Sequence, residues 1–233
     1  MKRIDKIISE QTNYSRKQIK NLISSKAILV NNQIIMRPEQ KFDENNIIIT
    51  INNQPIKIIN HFYLLLNKPK GFVSSTEKGN EKTVLDLISD NYKTKNLFPA
   101  GRLDKDTTGL MLITDDGEFA HNILSPKKHI KKQYEVTLNL PITDKMVEEF
   151  FNGVQLNDGK CKSALLEKTG EFTARVTLTE GRYHQIKRMF GCYKAKVLQL
   201  HRIGMGNLAL PNNLKPGEFK EANQEELNKI QEK

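Results

Sequence analysis

The first fifty residues show one apolar pattern of helical spacing and another typical of short strands. Apolar side chains at positions i, i+3 and i+4 predict two short helices, on Ile4, Ile7 and Ile8 and then on Ile19, Leu22 and Ile23. Ser15 and Gln18 have the spacing of a capping box at the start of the second helix. The runs AILVNNQII and NIIITI predict a hairpin and a third strand. The pattern therefore predicts a small domain of two helices and a sheet over residues 1–55.

A larger domain is predicted beyond a linker. Residues 52–60 are polar and contain a proline, which is typical of a linker. From residue 62 the strand-like runs are FYLLLNKP, FVSST, LMLIT, QYEVTLN, SALLEKT, ARVTLTE and KVLQLHR. Helical signals fall at 83–89, 117–124, 143–152 and 183–190, and a short polar helix is expected near the C-terminus. The chain is thus predicted to be α+β, with a mainly antiparallel sheet in residues 61–233.

The charge of the chain favours an anionic partner. Lys and Arg outnumber Asp and Glu by 37 to 27, and residues 1–60 contain ten basic residues against five acidic ones. No run approaches the ~18 apolar residues of a membrane span, and no secretory signal is visible, so we expect a cytoplasmic protein. Cys161 and Cys192 form no ligand cluster, so neither a metal site nor a disulfide framework is predicted.

The segment GRLDKDTTGLMLITDDG, residues 101–117, concentrates acidic residues in a basic protein. Paired carboxylates of this kind can hold Mg²⁺, form a glycosidase acid and base, or simply make turns. Asp115 and Asp116, between a predicted strand and a predicted helix, are interpreted as a turn and an N-cap. Asp104 differs because it lies beside Arg102 and just before an apolar strand. We therefore expect Asp104 on a rigid ledge at the end of a sheet strand.

Two further segments carry candidate chemistry. If residues 183–190 are helical, Ile186, Met189 and Phe190 form the buried stripe, Lys187 lies at its edge, and His184 and Arg188 face away. A half-buried lysine either meets an acid or extends along the apolar surface into water. Tyr134, in the basic strand KKQYEV, either packs in the core or stacks on a nucleic-acid base. The residues alone leave both choices open.

The N-terminal segment RIDKIISEQTNYSRKQIKNLISSKAILVNNQII resembles an S4-type RNA-binding domain. This resemblance implies that a basic second helix, here with Arg16, Lys17 and Lys20, contacts phosphates of structured RNA. It indicates a class of ligand and no chemistry, because S4-like domains occur in ribosomal proteins, tRNA synthetases and RNA-modifying enzymes alike.

Five segments, in order across the chain, are LNKPKGFVSS, AGRLDKDTTGLMLITDDG, KKQYEV, EGRYHQIKRMF and LQLHRIGMGNLAL. They resemble the pseudouridine synthases of the RsuA family. The resemblance implies that Asp104 is the essential catalytic aspartate, that Tyr134 stacks on the target base and that Leu200 packs below the site. It also implies that a basic residue of HQIKRM pairs with the aspartate. The helix-face argument favours Lys187 for this pairing and leaves Arg188 for RNA phosphate.

The basic residues expected to contact RNA in the larger domain are Arg102, Arg182, His184, Arg188 and Arg202. The implied reaction breaks the bond from ribose to N1 of uracil, turns the base and rejoins it through C5, so we expect no cofactor. A uracil in folded RNA must be flipped into a pocket, where Tyr134 would replace its lost stacking. Asp104 could act on the sugar, on the base or on a ribose proton, and the sequence does not choose among these routes.

The segment EGRYHQIKRMF resembles the small-subunit ribosomal RNA enzymes more than the large-subunit ones. We therefore expect a single uridine of 16S ribosomal RNA as the substrate, free or in a partly assembled particle, and a monomeric protein. The alternatives are a synthase acting on 23S ribosomal RNA, a non-catalytic S4-domain protein that binds RNA or assists ribosome assembly, and a metal-dependent nuclease.

Overall fold

The computed structural model describes residues 1–56, 58, 61–77, 79–92 and 96–232. The chain divides into two compact units, Met1–His61 and Phe62–Lys233. Within the described ranges, no helix is long and apolar enough to cross a membrane.

In its described residues, the first unit contains two α-helices, six short strands and a 3₁₀ turn at Glu44–Asn46. Its helices are α1 (Ile4–Gln11) and α2 (Arg16–Ser24), and its strands are β1 (Lys2–Arg3), β2 (Ile28–Val30), β3 (Gln33–Ile34), β4 (Lys41–Phe42), β5 (Ile49–Ile51) and β6 (Gln54–Ile56). Both halves of the predicted capping box are present, because Ser15 accepts from the Gln18 backbone and Gln18 accepts from the Ser15 backbone. The apolar faces of both helices pack on the sheet, as their spacing predicts.

The prediction of a linker from residue 52 is wrong for residues 52–56. Asn52 and Asn53 adopt left-handed backbone angles, φ 49° and 63°, as a two-residue hairpin turn requires. The chain therefore returns along β5 as a further strand, β6, in a sheet of order β3-β2-β5-β6. Pro55 is tolerated because β6 lies at the sheet edge. Residues 57, 59 and 60 of the predicted linker lie outside the described residues.

The second unit is built on one large sheet. Its strands are β7 (Tyr63–Lys68), β8 (Phe98–Pro99), β9 (Thr108–Thr114), β10 (Lys132–Leu138), β11 (Gln155–Leu156), β12 (Gly159–Lys160), β13 (Leu165–Lys168), β14 (Thr173–Leu178), β15 (Val197–Met205), β16 (Leu208–Ala209) and β17 (Phe219–Glu221). Its helices are α3 (Gly117–Leu124), α4 (Asp144–Asn152), α5 (Gln185–Gly191) and α6 (Gln224–Gln231), with 3₁₀ turns at Val84–Leu87 and Asp90–Tyr92.

The main sheet has the order β13-β14-β10-β15-β9-β7-β17. In addition, β8 pairs with β9, and β16 pairs with β15. Among the described residues, the β15–β9 pair of this sheet is parallel and its other strand pairs are antiparallel, which confirms an α+β fold with a mainly antiparallel sheet. Two predicted elements differ. FVSST contributes an isolated bridge from Val73 to Thr83 rather than a strand, and the helix predicted at 83–89 is a short 3₁₀ turn.

The centre of this sheet is covered on both faces. Leu64 and Leu66 of β7 belong to one apolar cluster, which includes Phe150 of α4 and Phe190 of α5. Leu65 belongs to a second cluster, which includes residues of α3 and α6. A strand buried on both faces has no side that faces water, so polar residues of β7 are enclosed with the apolar ones.

Gly109 allows the two parallel strands of the sheet to approach closely. Its φ is +103°, and a Cβ atom at this position would lie 2.2 Å from the carbonyl oxygen of Arg202 on β15. Only glycine satisfies both conditions. Since β9 follows the Asp104 loop directly, this contact brings the loop beside the strand that carries Leu200 and Arg202.

Candidate active site

The loop that carries Asp104 is held by two side chains from an earlier segment. The Ser74 hydroxyl donates to the Leu103 carbonyl at 2.8 Å and accepts from the Leu103 amide at 3.0 Å. Lys68 Nζ donates to the carbonyls of Thr107 at 2.7 Å, Pro69 at 3.2 Å and Lys105 at 3.4 Å. Asp104 therefore lies on a fixed ledge before β9, as the sequence predicts.

Lys68 is not among the site residues predicted from the sequence. The side chain is fully buried at the end of β7, and burial lowers its pKa to about 8, although Asp106 and Asp104 act in the opposite direction. A lysine that ends the otherwise apolar run YLLLNK is the signal that could have singled it out. Two of its three carbonyl contacts, to Lys105 and Thr107, tie the part of the loop that follows Asp104 to the end of β7.

Two basic side chains contact the Asp104 carboxylate. Lys187 Nζ lies 2.9 Å from Asp104 Oδ2 and 2.6 Å from Asp106 Oδ1, and His184 Nε2 lies 3.2 Å from Asp104 Oδ1. Burial alone would lower the pKa of Lys187, but its hydrogen bonds to Asp106 and Asp104 outweigh burial and raise it. Lys187 is thus held as a cation between two carboxylates.

The prediction that His184 lies within the helix and faces away from its buried stripe is wrong, because it assumes a helix from residue 183. Helix α5 begins at Gln185 rather than at residue 183, and His184 precedes it with left-handed backbone angles, φ 48° and ψ 36°. This conformation turns the imidazole towards Asp104. The exposed ring of Tyr183 stacks on it, with ring centroids 3.9 Å apart.

The turn before α5 is fixed by a buried carboxylate. Glu180 accepts hydrogen bonds from the Lys162 amide at 3.0 Å and from Gln185 Nε2 at 2.7 Å. Gln185 Oε1 in turn accepts from the Arg182 amide at 2.9 Å. Glu180 is a second residue that sequence analysis misses, and its contacts hold the backbone that positions His184 and Lys187.

The two arginines of this segment do not contact Asp104. Arg182 Nη1 donates to the Gly159 carbonyl at 3.0 Å, and Arg188 forms a two-nitrogen contact with the Asp158 carboxylate. Lys187 and His184, rather than Arg188, are therefore the basic residues of HQIKRM that contact the aspartate. Arg102 is exposed beside Asp104.

A cavity of about 750 Å³ opens beside Asp104, within the usual range for small-molecule sites. It is lined by all the residues above that contact Asp104, and also by Tyr134, Leu200, Lys132, Arg202 and Arg102. In the register of β10 with β15, Tyr134 lies opposite Arg202 and Val136 lies opposite Leu200. The sheet therefore forms one wall, and the Asp104 loop and the start of α5 form the other.

Arg202, which is expected to contact RNA, is enclosed rather than exposed. A contact to the RNA backbone requires a surface side chain, whereas Arg202 is only 2% exposed and donates its Nε–H to the Leu110 carbonyl. In the other unit, Arg16, Lys17 and Lys20 are exposed on α2. Among the described residues, no cluster of three His, Cys, Asp or Glu side chains is arranged to hold a metal ion.

Comparison with known proteins places this geometry in a family. Residues 62–191 match the family model described as RNA pseudouridylate synthase, and residues 2–48 match the S4 domain. A crystal structure titled pseudouridylate synthase, 35% identical in sequence, matches with a TM-score of 0.70 over 99% of this chain and 100% of that one.

Two relatives are similar over almost the whole chain. An uncharacterised RNA pseudouridine synthase of Bacillus subtilis is 36% identical, over 99% of this chain and 98% of the relative. The ribosomal small subunit pseudouridine synthase A of Escherichia coli K12 is 39% identical, over 97% of this chain and 98% of the relative. The chain therefore belongs to the RNA pseudouridylate synthase family, as its resemblance predicts, and is an RNA pseudouridine synthase with an S4 domain.

Proposed function

We propose that this protein converts one uridine of 16S ribosomal RNA to pseudouridine, with Asp104 as the catalytic carboxylate. The observation that carries this proposal is the position of Asp104, against Lys187 and His184, at a cavity lined by Tyr134 and Leu200. The choice of small-subunit RNA is supported by the 39% identity to an enzyme named for that subunit. The segment EGRYHQIKRMF supports the same choice.

The chemistry requires the target uridine to leave the RNA stack. Inside the cavity, the Tyr134 ring would stack on the flipped base and Leu200 would pack below it. The reaction breaks the C1′–N1 bond and forms a C1′–C5 bond, with one proton lost from C5 and one gained at N1. Lys187 would hold the Asp104 carboxylate in position for its step through their 2.9 Å charged contact.

The remaining basic residues would bind the RNA around the target. In this proposal Arg102 and His184 contact RNA beside the cavity, Arg182 and Arg188 contribute positive charge around it, and Arg16, Lys17 and Lys20 bind phosphates through the S4 domain. Such contacts give affinity that falls with salt and carries little sequence information. We further propose a cytoplasmic monomer that acts on free RNA or on a partly assembled small-subunit particle.

The test of the target is pseudouridine mapping by carbodiimide modification and primer extension. Unmodified 16S and 23S transcripts, and small-subunit particles assembled from the 16S transcript, are incubated with the protein. We expect one new stop, in 16S RNA, and none in 23S RNA. Matched reactions without protein identify stops that arise from RNA structure.

Three other outcomes would contradict the proposed target or the proposed reaction. A stop confined to 23S RNA would support pseudouridine formation but show that the target lies in 23S rather than 16S RNA. RNA binding with no stop on any substrate would favour a non-catalytic assembly factor. Shortened RNA that depends on Mg²⁺ would favour a nuclease.

Tyr134 provides a test of base stacking. Replacement by Phe keeps the aromatic ring, so we expect the single-turnover rate to fall less than about tenfold, whereas Tyr134→Ala should lower it about 10- to 100-fold, because stacking contributes ~1–3 kcal/mol per base. Single-turnover kinetics with excess enzyme measure both rates, and melting temperatures separate a catalytic loss from a loss of core packing. Equal losses in the two variants would contradict the stacking role.

A further inference from the structure

Two buried cations line the cavity without contacting Asp104. Lys132 is 6% exposed and Arg202 is 2% exposed, and both line the cavity. Lys132 Nζ donates to the Ile130 carbonyl at 3.2 Å, and Arg202 Nε donates to the Leu110 carbonyl. Arg202 Nη2 is buried without any hydrogen-bond partner. Across the described part of the chain, no carboxylate lies within ion-pair distance of either side chain.

Both cations flank Tyr134. Lys132 precedes Tyr134 by two residues on β10, so the two side chains share one face of the sheet. Arg202 lies directly opposite Tyr134 on the neighbouring strand β15. Lys131, immediately before the strand, is exposed. The chain therefore encloses one lysine of the pair KK and leaves the other in water.

Enclosing unpaired cations costs free energy. Burial, together with the nearby Arg202 charge, lowers the pKa of Lys132 to about 8. An arginine side chain does not lose its charge in this way, because a guanidinium stays protonated in proteins. Buried charges are normally paired with a counter-charge. Fixed cations beside an active-site cavity are suited to a negative charge that develops there during a reaction.

We propose that Lys132 and Arg202 form an anion subsite that holds the detached uracil through its carbonyl oxygens. This inference rests on the proposed function of the cavity as the uridine site. When the C1′–N1 bond breaks, its electron pair stays with the base, and the negative charge spreads over N1, O2 and O4. C5 of this anion then attacks C1′, the C5 proton leaves and N1 gains a proton, so the product is an isomer and no oxidant or reductant is needed.

The subsite would serve two needs of the reaction. It would lower the free energy of the anionic base, and it would keep the base in the cavity while it turns from N1 to C5. An RNA phosphate is the other source of anionic oxygen. The position of both cations beside the stacking ring, with so little exposure, favours the base, whereas the exposed Arg102 suits a phosphate.

The test compares two neighbouring lysines in the full-length protein. Lys132→Met and Lys131→Met each remove one positive charge from the same segment. We expect Lys132→Met to lower the single-turnover rate on 16S RNA about 100-fold or more, as loss of one preorganised donor does in other enzymes. Its dissociation constant for the RNA should stay within about threefold of wild type. Lys131→Met should leave the rate within about threefold, because its charge is already in water.

Arg202 supplies a second pair of variants. Arg202→Lys retains a cation and should keep more of the rate than Arg202→Met, at matched RNA affinity. Melting temperatures identify any variant that fails to fold, and the remaining variants then decide the question. A rate within threefold of wild type in folded Lys132→Met would overturn the subsite. Weakened RNA binding at an unchanged rate would assign the cations to a phosphate and would also overturn it.

Asp104→Asn is measured in parallel to separate the two proposals. If Asp104→Asn abolishes the reaction while Lys132→Met and Arg202→Met retain it, the uridine site stands and the anion subsite fails. If Asp104→Asn retains the reaction, the proposed site itself fails.

Discussion

Asp104→Asn is expected to lower the single-turnover rate of pseudouridine formation by about four orders of magnitude, the scale seen when an essential catalytic carboxylate is lost. The amide keeps the size and much of the hydrogen bonding of the carboxylate, but it has no negative charge and cannot act as a nucleophile or a base. RNA affinity should change little, because the exposed basic residues that would bind phosphates are untouched. Primer-extension mapping over a time course measures the rate, and filter binding measures the affinity.

Asp106→Asn is the matched control for this variant. Asp106 contacts the same Lys187 amine, at 2.6 Å, but its side chain is the more exposed of the two. It lines a shallow basic groove with Lys187 rather than the cavity that holds Tyr134. We expect Asp106→Asn to lower the rate less than about tenfold, as for a partly exposed ion pair. Equal losses in the two variants would mean that the shared lysine, and not Asp104, is the important element.

The sequence predicts a site residue correctly where the direction of its side chain follows from the helix that contains it. The stripe Ile186, Met189 and Phe190 is buried as predicted, and Lys187 at its edge reaches an acid. The same reasoning fails for His184, because it assumes that the helix includes this residue. The helix begins one residue later, and a left-handed residue points its side chain in a direction that helical spacing does not describe.

Other features depend on contacts between distant segments. The role of Lys68 depends on the enclosure of β7 on both faces and on carbonyls almost forty positions away. The register of β10 with β15 places Arg202 opposite Tyr134, and no spacing in the sequence specifies that register. The sequence therefore predicts an RNA contact for Arg202 but does not show that the sheet encloses its side chain.

Lys187→Met is expected to lower the single-turnover rate about 10³-fold, the scale of breaking a partly buried ion pair by removing one partner. Lys187 Nζ contacts both Asp104 and Asp106. Burial alone would raise the pKa of Asp106, but its hydrogen bond to Lys187 outweighs burial and holds that pKa below its ordinary value. Without this cation, the contact that lowers the pKa of Asp106 is lost, and His184 is the remaining basic contact of Asp104. Lys187→Arg retains the charge and should recover most of the rate.

Arg188→Met is the matched control, because Arg188 is the next residue of α5 and its guanidinium pairs with Asp158 instead. We expect its single-turnover rate to stay within about tenfold of wild type, since an exposed ion pair contributes ~0–1 kcal/mol. The pH dependence gives a second readout. The part of the loss that arises from protonation of Asp106, whose pKa Lys187 lowers, should be recovered in Lys187→Met as pH rises, whereas the rate of Arg188→Met should follow the wild-type profile. A loss in Lys187→Met that does not change with pH would show that the amine does not act by keeping Asp106 ionised.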